Sequence, residues 1–539
     1  MSDLHSEKHL EGGQLVFLPH DQSYCTADAQ QPRRHSENIR YHDDTTFIAG
    51  ENKRAEIREE IVYEGWSPSE VRFVDRWLRP RRATLTMLLP LIALCLLLLH
   101  GCVLCIAKKP PVIKGNTQFF PPTIQQSWAA YTPYFPVKQY SPPPAHCKIT
   151  QVNIIQRHGA RFPTSGATTR ILTAVNNLKS ATDFLDPRLD FLRNYTYTLG
   201  KDNLIPFGAL QSVDAGQGAF QRYSQLVSSK NLPFVRASGS TRVVDSATNW
   251  TSGFSLASHK AFNPVLSVIL DESLNDTLDD SMCPNAGSSD PQTNIWTSIY
   301  GAPIAARLNA QAPGATVTAA DISNLIPLCA FETLAKEIPS PFCSLFTEDE
   351  FAQFEYFGDL DKFYNTGYGQ ALGRVQGVGY VNELIARLTE SPVRDNTQTN
   401  HTLDASPVTF PLNRTIYADF SHDNQMIAIY AALGLFNQTV PLDPTAPDPA
   451  RTWIASHLTP FSARMVTERL SCGSTGPAAG HGQGKIKPQT FVRILVNDAL
   501  QPLPFCGGDR NGLCTLDAFV ESQSYARNDG EGDFEKCFS

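Results

Sequence analysis

This chain has no long basic run and no surplus of positive charge. Its 539 residues hold 45 Lys and Arg against 53 Asp and Glu, a formal net charge of -8 at pH 7, so nothing in the composition suits neutralising a nucleic-acid backbone. Nucleic acid is not an expected partner. An acidic balance does not exclude an anionic small molecule, because local arginines bind phosphate inside acidic proteins. Metal-site strings are missing as well: there is no H-E-x-x-H, no pair of C-x-x-C motifs and no EF-hand loop, the spacings that announce a bound metal. Between residues 147 and 539 there is no internal repeat and no apolar run long enough to span a bilayer.

Charge is absent altogether from one stretch. Leu85 to Ala107 reads LTMLLPLIALCLLLLHGCVLCIA, 23 residues without Asp, Glu, Lys or Arg, and about 20 apolar residues suffice to cross a bilayer. Arg72, Arg76, Arg79, Arg81 and Arg82 precede it, and only Lys108 and Lys109 follow closely. The positive-inside rule then predicts a cytosolic, largely disordered tail over 1–82, a transmembrane signal-anchor helix over 83–107, and a lumenal or extracellular remainder. A cleaved signal peptide would start nearer residue 1 and carry a shorter apolar core. Six N-x-S/T sequons, at Asn194, Asn249, Asn275, Asn400, Asn413 and Asn437, all fall after the span, which fits a glycosylated C-terminal side. Cys147, Cys283, Cys329, Cys343, Cys472, Cys506, Cys514 and Cys537 fall there too; an even set in an oxidising compartment implies up to four disulfides, with connectivity open. Residues 108–146 are rich in proline and are expected to form a semi-extended stalk, whose cleavage would release the catalytic region at 147–539.

Two charged loops follow strand-like runs. Lys148–Gln156, KITQVNIIQ, alternates polar residues with Val and Ile and predicts a strand; it runs into RHGARFPT at 157–164. Gly159 is expected to let the chain turn sharply, and Pro163 to delay the next helix. Arg414–Phe420, RTIYADF, predicts a second strand ending in SHDNQ, after which Met426, Ile427, Tyr430 and Leu433 keep helical spacing towards Gly434. Open α/β sheets bind ligands beyond the carboxyl ends of their strands. Arg157, His158 and Arg161 put an imidazole between two guanidiniums. Guanidiniums grip phosphate oxygens and stay charged, while imidazole can attack phosphorus or move a proton. The combination suits phosphoryl transfer.

Together, RHGARFPT and the SHD at Ser421–Asp423 resemble the two active-site signatures of the histidine acid phosphatases. RASGSTRVVDSA (Arg236–Ala247), GVGYVNELIARL (Gly377–Leu388), HTLDASPVTFPLN (His401–Asn413) and YADFSHDN (Tyr417–Asn424) are similar to the fungal-type phytases. The resemblance implies a phosphoglycerate-mutase-like α/β fold, a central sheet flanked by helices plus a smaller helical domain. It also implies roles. His158 would take the phosphoryl group, Arg157, Arg161 and Arg242 would hold its oxygens, His422 would add a hydrogen bond, and Asp423 would protonate the leaving alkoxide. Arg242 is preferred over Arg236, which is expected to form a structural ion pair; His146 and His401 are expected to be surface or structural residues. No cofactor or metal is implied, and the partner is a small phosphomonoester, phytate or similar. The implied disulfides pair Cys147 with Cys472, Cys283 with Cys537, Cys329 with Cys343 and Cys506 with Cys514.

Two departures bear on the substrate. Where some phytases carry a Lys-rich stretch, Ser165–Arg170 reads SGATTR, and a position often held by paired lysines reads Asp361-Lys362. Fewer cations weaken capture of a hexakisphosphate, so a broad-specificity acid phosphatase stays open beside a phytase. A catalytically silent inositol-phosphate-binding membrane protein would have lost His158 or Asp423, and both are present.

Overall fold

The computed structural model describes residues 118–438, 440–473 and 488–539. The expected tail over 1–82 and membrane helix over 83–107 lie outside these residues, and among the described residues no helix is long and apolar enough to cross a membrane. The body is built on an eight-stranded sheet of order β3-β2-β4-β1-β5-β6-β7, with β8 on β6. Four strands run parallel: β1 (Cys147–Arg157), β2 (Phe234–Ser238), β3 (Leu266–Leu270) and β4 (Ile416–Ser421). An antiparallel part, β5 (Arg464–Cys472), β6 (Gln489–Val496), β7 (Ala499–Leu500) and β8 (Cys514–Thr515), continues from β1.

Parallel neighbours need long crossovers, and helices supply them. Helices α1 (Ser165–Lys179) and α2 (Pro206–Tyr223) lie between β1 and β2, and α3 (Thr241–Ala257) between β2 and β3. Helices α4 (Asp290–Gln311), α5 (Ala319–Lys336), α6 (Glu348–Asn365) and α7 (Val378–Thr389) fill the long excursion before β4. Helix α8 (Asp423–Leu433) follows β4 at once and ends at Gly434, whose φ of 85° is the left-handed cap that glycine adopts without strain.

Alternate strand residues face opposite sides. Val152 and Ile154 of β1, Val235 and Ala237 of β2, and Ile416, Ala418 and Phe420 of β4 pack with Trp250 and Phe254 of α3 and Ala215 of α2. Ile155 joins the larger core on the other side, which also takes in α1 and α4 to α7. The helical excursion packs against the rest of the body: Ile171 of α1, Leu325 of α5 and Phe354 of α6 belong to one apolar cluster. On that side Arg236 donates from Nε to Asp419 Oδ1 at 2.8 Å and from Nη1 to Glu383 Oε1 at 3.1 Å, and Arg387 also pairs with Asp419. None of these four is more than 1% exposed. Arg236 is thus a structural ion-pair residue.

The stalk boundary requires correction. Trp128 is 1% exposed, Ala129 N donates to Glu355 Oε2 of α6 at 2.6 Å, and the hydroxyls of Tyr134 and Tyr140 donate to Asp498 and Glu468 at 3.1 and 2.9 Å. Aromatics interspersed among the prolines bury enough apolar area to hold the segment down, so among the described residues the folded body already includes those from Phe119 onward, ahead of Cys147. Disulfides join Cys147 to Cys472, Cys283 to Cys537, Cys329 to Cys343 and Cys506 to Cys514. Cys147 and Cys472 face one another across β1 and β5.

Candidate active site

Register brings the two charged loops together. Arg157 at the end of β1 lies opposite Ser421 at the end of β4, and His158 N donates to Ser421 O at 3.1 Å. Beyond β2, the second residue of α3 is Arg242; beyond β3, Glu272 follows Leu270 by two positions. All four parallel strands thus deliver a functional side chain at one sheet edge. The six residues singled out from the sequence, Arg157, His158, Arg161, Arg242, His422 and Asp423, converge here, whereas His146 and His401 are exposed elsewhere.

The His158 loop is held by backbone contacts. Gly159 N donates to Ser246 Oγ of α3 at 3.0 Å, and Ala160 N to Gln211 Oε1 of α2 at 2.9 Å. Gly159 does not take a positive φ, so the turn expected of it is not why glycine stands there. The reason is proximity: a Cβ at Gly159 would lie 2.1 Å from Gly208 O of α2. His158 is 1% exposed, with Nδ1 2.8 Å from Gly159 O. A carbonyl only accepts, so Nδ1 carries the proton and Nε2 keeps the lone pair. Burial, followed by the charges of Arg157 and Arg161, holds the imidazole well below its ordinary pKa and therefore neutral.

Three guanidiniums surround that ring. Arg157 is fully buried; its Nη1 donates to Thr459 O at 2.7 Å and to Ala130 O, and its guanidinium lies 4.6 Å from the Phe461 ring centre. Burial and the charge of Arg157 push Arg161 down to about 10, which leaves it charged at any acid or neutral pH. The Nε atoms of Arg157, Arg161 and Arg242 are buried without a hydrogen-bond partner. Unpaired buried donors are costly, and an anion between these groups would lower their mutual repulsion.

Asp423 opens α8 with its carboxylate between two cations, Lys362 Nζ at 2.9 Å and Arg157 Nη2 at 3.3 Å. Burial raises its pKa, but Arg157 and Lys362 outweigh it and hold the carboxyl well below the usual range. Asp423 is thus ionised before substrate arrives, and a proton-donor role requires that the proton come with binding. Lys362 also donates to Asn424 Oδ1 at 2.6 Å and lies 3.3 Å from Asp361. Sequence reasoning counted Lys362 only as part of a depleted lysine pair; its place at the site depends on how α6 folds back. Glu272 and Asp279, within 3.2 and 3.6 Å of His422 Nε2, were missed entirely, since no motif marks the acidic run after β3. With His422 they place ligand atoms within 4.8 Å of one another, but Glu272 already accepts hydrogen bonds from Ser238 and Ser240. A cleft of about 180 Å³ lined by Tyr131, Arg161, Asp361, Lys362, Asp423 and Asn424 opens beside the cluster. A larger cavity of about 240 Å³, lined by Gln156, Arg222, Tyr223 and Arg464, holds none of the signature residues.

An imidazole caged by guanidiniums at the ends of parallel strands defines a histidine phosphatase, and the sequence profile of the histidine phosphatase superfamily (branch 2) matches residues 148–497. The chain is 42% identical to Phytase A of Emericella nidulans over 449 residues, 79% of this chain and 93% of that protein. It is 41% identical to Phytase A of Aspergillus fumigatus over 441 residues, 78% of this chain and 91% of that one. Among solved structures, the phytase from D. castellii superposes with a TM-score of 0.60 at 23% identity, covering 79% of this chain and 89% of that chain. A multiple inositol polyphosphate phosphatase from Bifidobacterium longum gives 0.56 at 15% identity, covering 75% and 98%; both show the shared fold. The chain belongs to the histidine phosphatase superfamily, within it to the fungal-type phytases, and is a phosphoric monoester hydrolase.

Proposed function

We propose that this protein removes phosphate from myo-inositol hexakisphosphate through a phosphohistidine at His158. The observation that carries the reading is the His158 ring, neutral, tautomerically fixed through Nδ1 and set among Arg157, Arg161 and Arg242. The Nε2 lone pair attacks phosphorus while the bond to the ester oxygen breaks, and the guanidiniums and His422 bear the charge on the transferring group. A bound phosphate neutralises the cations that hold Asp423 ionised, so Asp423 takes up a proton and gives it to the leaving alkoxide. As a carboxylate again, it accepts a proton from the water that attacks phosphorus and breaks the P–N bond, which frees inorganic phosphate and restores His158.

Phytate as substrate is supported by relatives named Phytase A, aligned over most of their length. The broad-specificity alternative is favoured by Asp361 beside Lys362, which offsets one of the cations near the cleft. Comparing kcat/KM on phytate and on p-nitrophenyl phosphate decides between them: preference for phytate is expected, and a tenfold or larger preference for the simple ester would favour the alternative. Acid-quenched enzyme given labelled substrate should carry label on His158, and label on serine or aspartate would overturn the mechanism.

The same reading places the catalytic body on the lumenal or extracellular side of a membrane anchored through 83–107, supported by the arginines before that segment and the sequons after it. Protease added to right-side-out vesicles should digest the body and spare 1–82. A protected body would reverse the topology.

A further inference from the structure

His422 makes two contacts that together say what it must do when phosphate arrives. Its Nδ1 lies 3.3 Å from Arg242 Nη2, and its Nε2 lies 3.2 Å from Glu272 Oε1 and 3.6 Å from Asp279 Oδ1. A guanidinium N–H can only donate, so Nδ1 accepts and Nε2 carries the proton given to Glu272. A ring held this way has no proton to offer a phosphate at Nδ1. To become a donor there it must gain a second proton, and Nδ1–H would then face the N–H of Arg242 until an anion oxygen lay between them. Glu272 also accepts from Ser238 Oγ, Ser240 N and Ser240 Oγ, each at 2.8 Å. Ser240 immediately precedes α3, the helix that carries Arg242.

We propose that Glu272 is a positioning residue for phosphate binding: it fixes the His422 ring, ties it to the helix bearing Arg242, and stabilises the imidazolium that forms as phosphate binds. The proposal rests on the phosphatase reading of this site. Facing His422 are Arg242, the His158 ring, Glu272, Asp276, Asp279 and Asp280, with Asp423 next in the chain. The hydrogen bond from His422, with those from Ser240 and Ser238, outweighs burial and holds Glu272 below the usual carboxylate range, so it stays charged in acid. Burial pushes Asp276 and Asp280 up to about 6, so both lose charge there. Glu272 is then the hydrogen-bonded counter-charge that persists.

The test uses the full chain and inorganic sulfate, a tetrahedral dianion whose own charge is constant over the range. Because Asp423 is itself proposed to gain a proton on binding, titration calorimetry in buffers of different ionisation enthalpy is run on Asp423→Asn. Proton uptake on sulfate binding is expected to persist there and to be lost when Glu272→Gln is added. In otherwise native enzyme, Glu272→Gln should carry the alkaline limb of kcat/KM to lower pH by about one unit, the size expected when a close opposite charge is removed, and Glu272→Asp should largely restore the limb. Uniform loss at every pH with the limb unmoved, or unchanged proton uptake, overturns the proposal while leaving the phosphatase reading intact. Failure of Asp423→Asn to bind sulfate at all would overturn both.

Discussion

Lys362 grips Asp423 from the helical side of the site, with Nζ 2.9 Å from Oδ2, while Arg157 reaches the same oxygen from the strand side at 3.3 Å. Burial favours the neutral acid, yet the two cations win and hold Asp423 well below the usual carboxylate range. Removing one of them should let the proton bind more tightly. Lys362→Met is therefore expected to move the alkaline limb of kcat to higher pH by about one unit, opposite in direction to Glu272→Gln. The measurement is a pH profile on an alkyl phosphate, whose leaving group needs the proton most. A limb that stays put, or moves towards acid, would show that Lys362 does not tune Asp423.

Asparagine at 423 keeps the shape of the side chain and cannot supply a proton. It also relieves Arg157 and Lys362 of a competing anion, so phosphate binding should persist or tighten. Asp423→Asn is expected to lower kcat/KM, which reports phosphoryl transfer to His158 and not the later water step, by about 10²–10⁴-fold on alkyl phosphates and far less on p-nitrophenyl phosphate. Equal losses on both would remove Asp423 from the acid's role.

What the sequence showed and concealed follows from the range of each contact. The alternation in Lys148–Gln156 and the helical spacing after SHDNQ are local, so both strand-to-loop junctions could be placed from the residues themselves, and their charged side chains named the chemistry. Arg242 needed a resemblance, because only the fold brings the start of α3 to the same sheet edge. Glu272 and His422 are 150 residues apart, and nothing in the run DESLNDTLDD reveals that it folds back onto SHD. The proline-rich segment misled for a similar reason: its composition favours extension, but Ala129, Tyr134 and Tyr140 find partners hundreds of residues onward.

The six sequons are not equivalent in the folded chain. Asn194, Asn413 and Asn437 are exposed, whereas Asn275 is half-buried and its Nδ2 donates to Thr399 O at 3.0 Å. A glycan replaces a hydrogen on that nitrogen and must reach solvent. Protein secreted from a glycosylating host is expected to carry glycans at Asn194, Asn413 and Asn437 and to leave Asn275 bare. Enzymatic deglycosylation in heavy-oxygen water followed by peptide mass analysis reads each site, and full occupancy at Asn275 would contradict the packing described for it.

Gly159 and Gly208 let the His158 loop and α2 lie close together. A Cβ on Gly159 would lie 2.1 Å from Gly208 O, and one on Gly208 would lie 2.0 Å from Ala160 O, in both cases against backbone that cannot rotate away. The loop is also tied to Ser246 and Gln211, so relief must come by moving the loop as a unit, and His158 with it. Overpacking of this kind costs about 1–3 kcal/mol, whereas a displacement of the nucleophile by roughly 1 Å costs about 10²-fold in rate. Gly159→Ala should therefore lose kcat out of proportion to its loss of thermal stability. Gly301→Ala is the control: its Cβ would lie 2.6 Å from Ala319 O, at the contact of α4 with α5, and it should lower the melting temperature while leaving kcat within a few-fold of native. Similar kcat losses in the two variants at matched stability would mean that the glycine at 159 serves the fold in general and not the placement of His158.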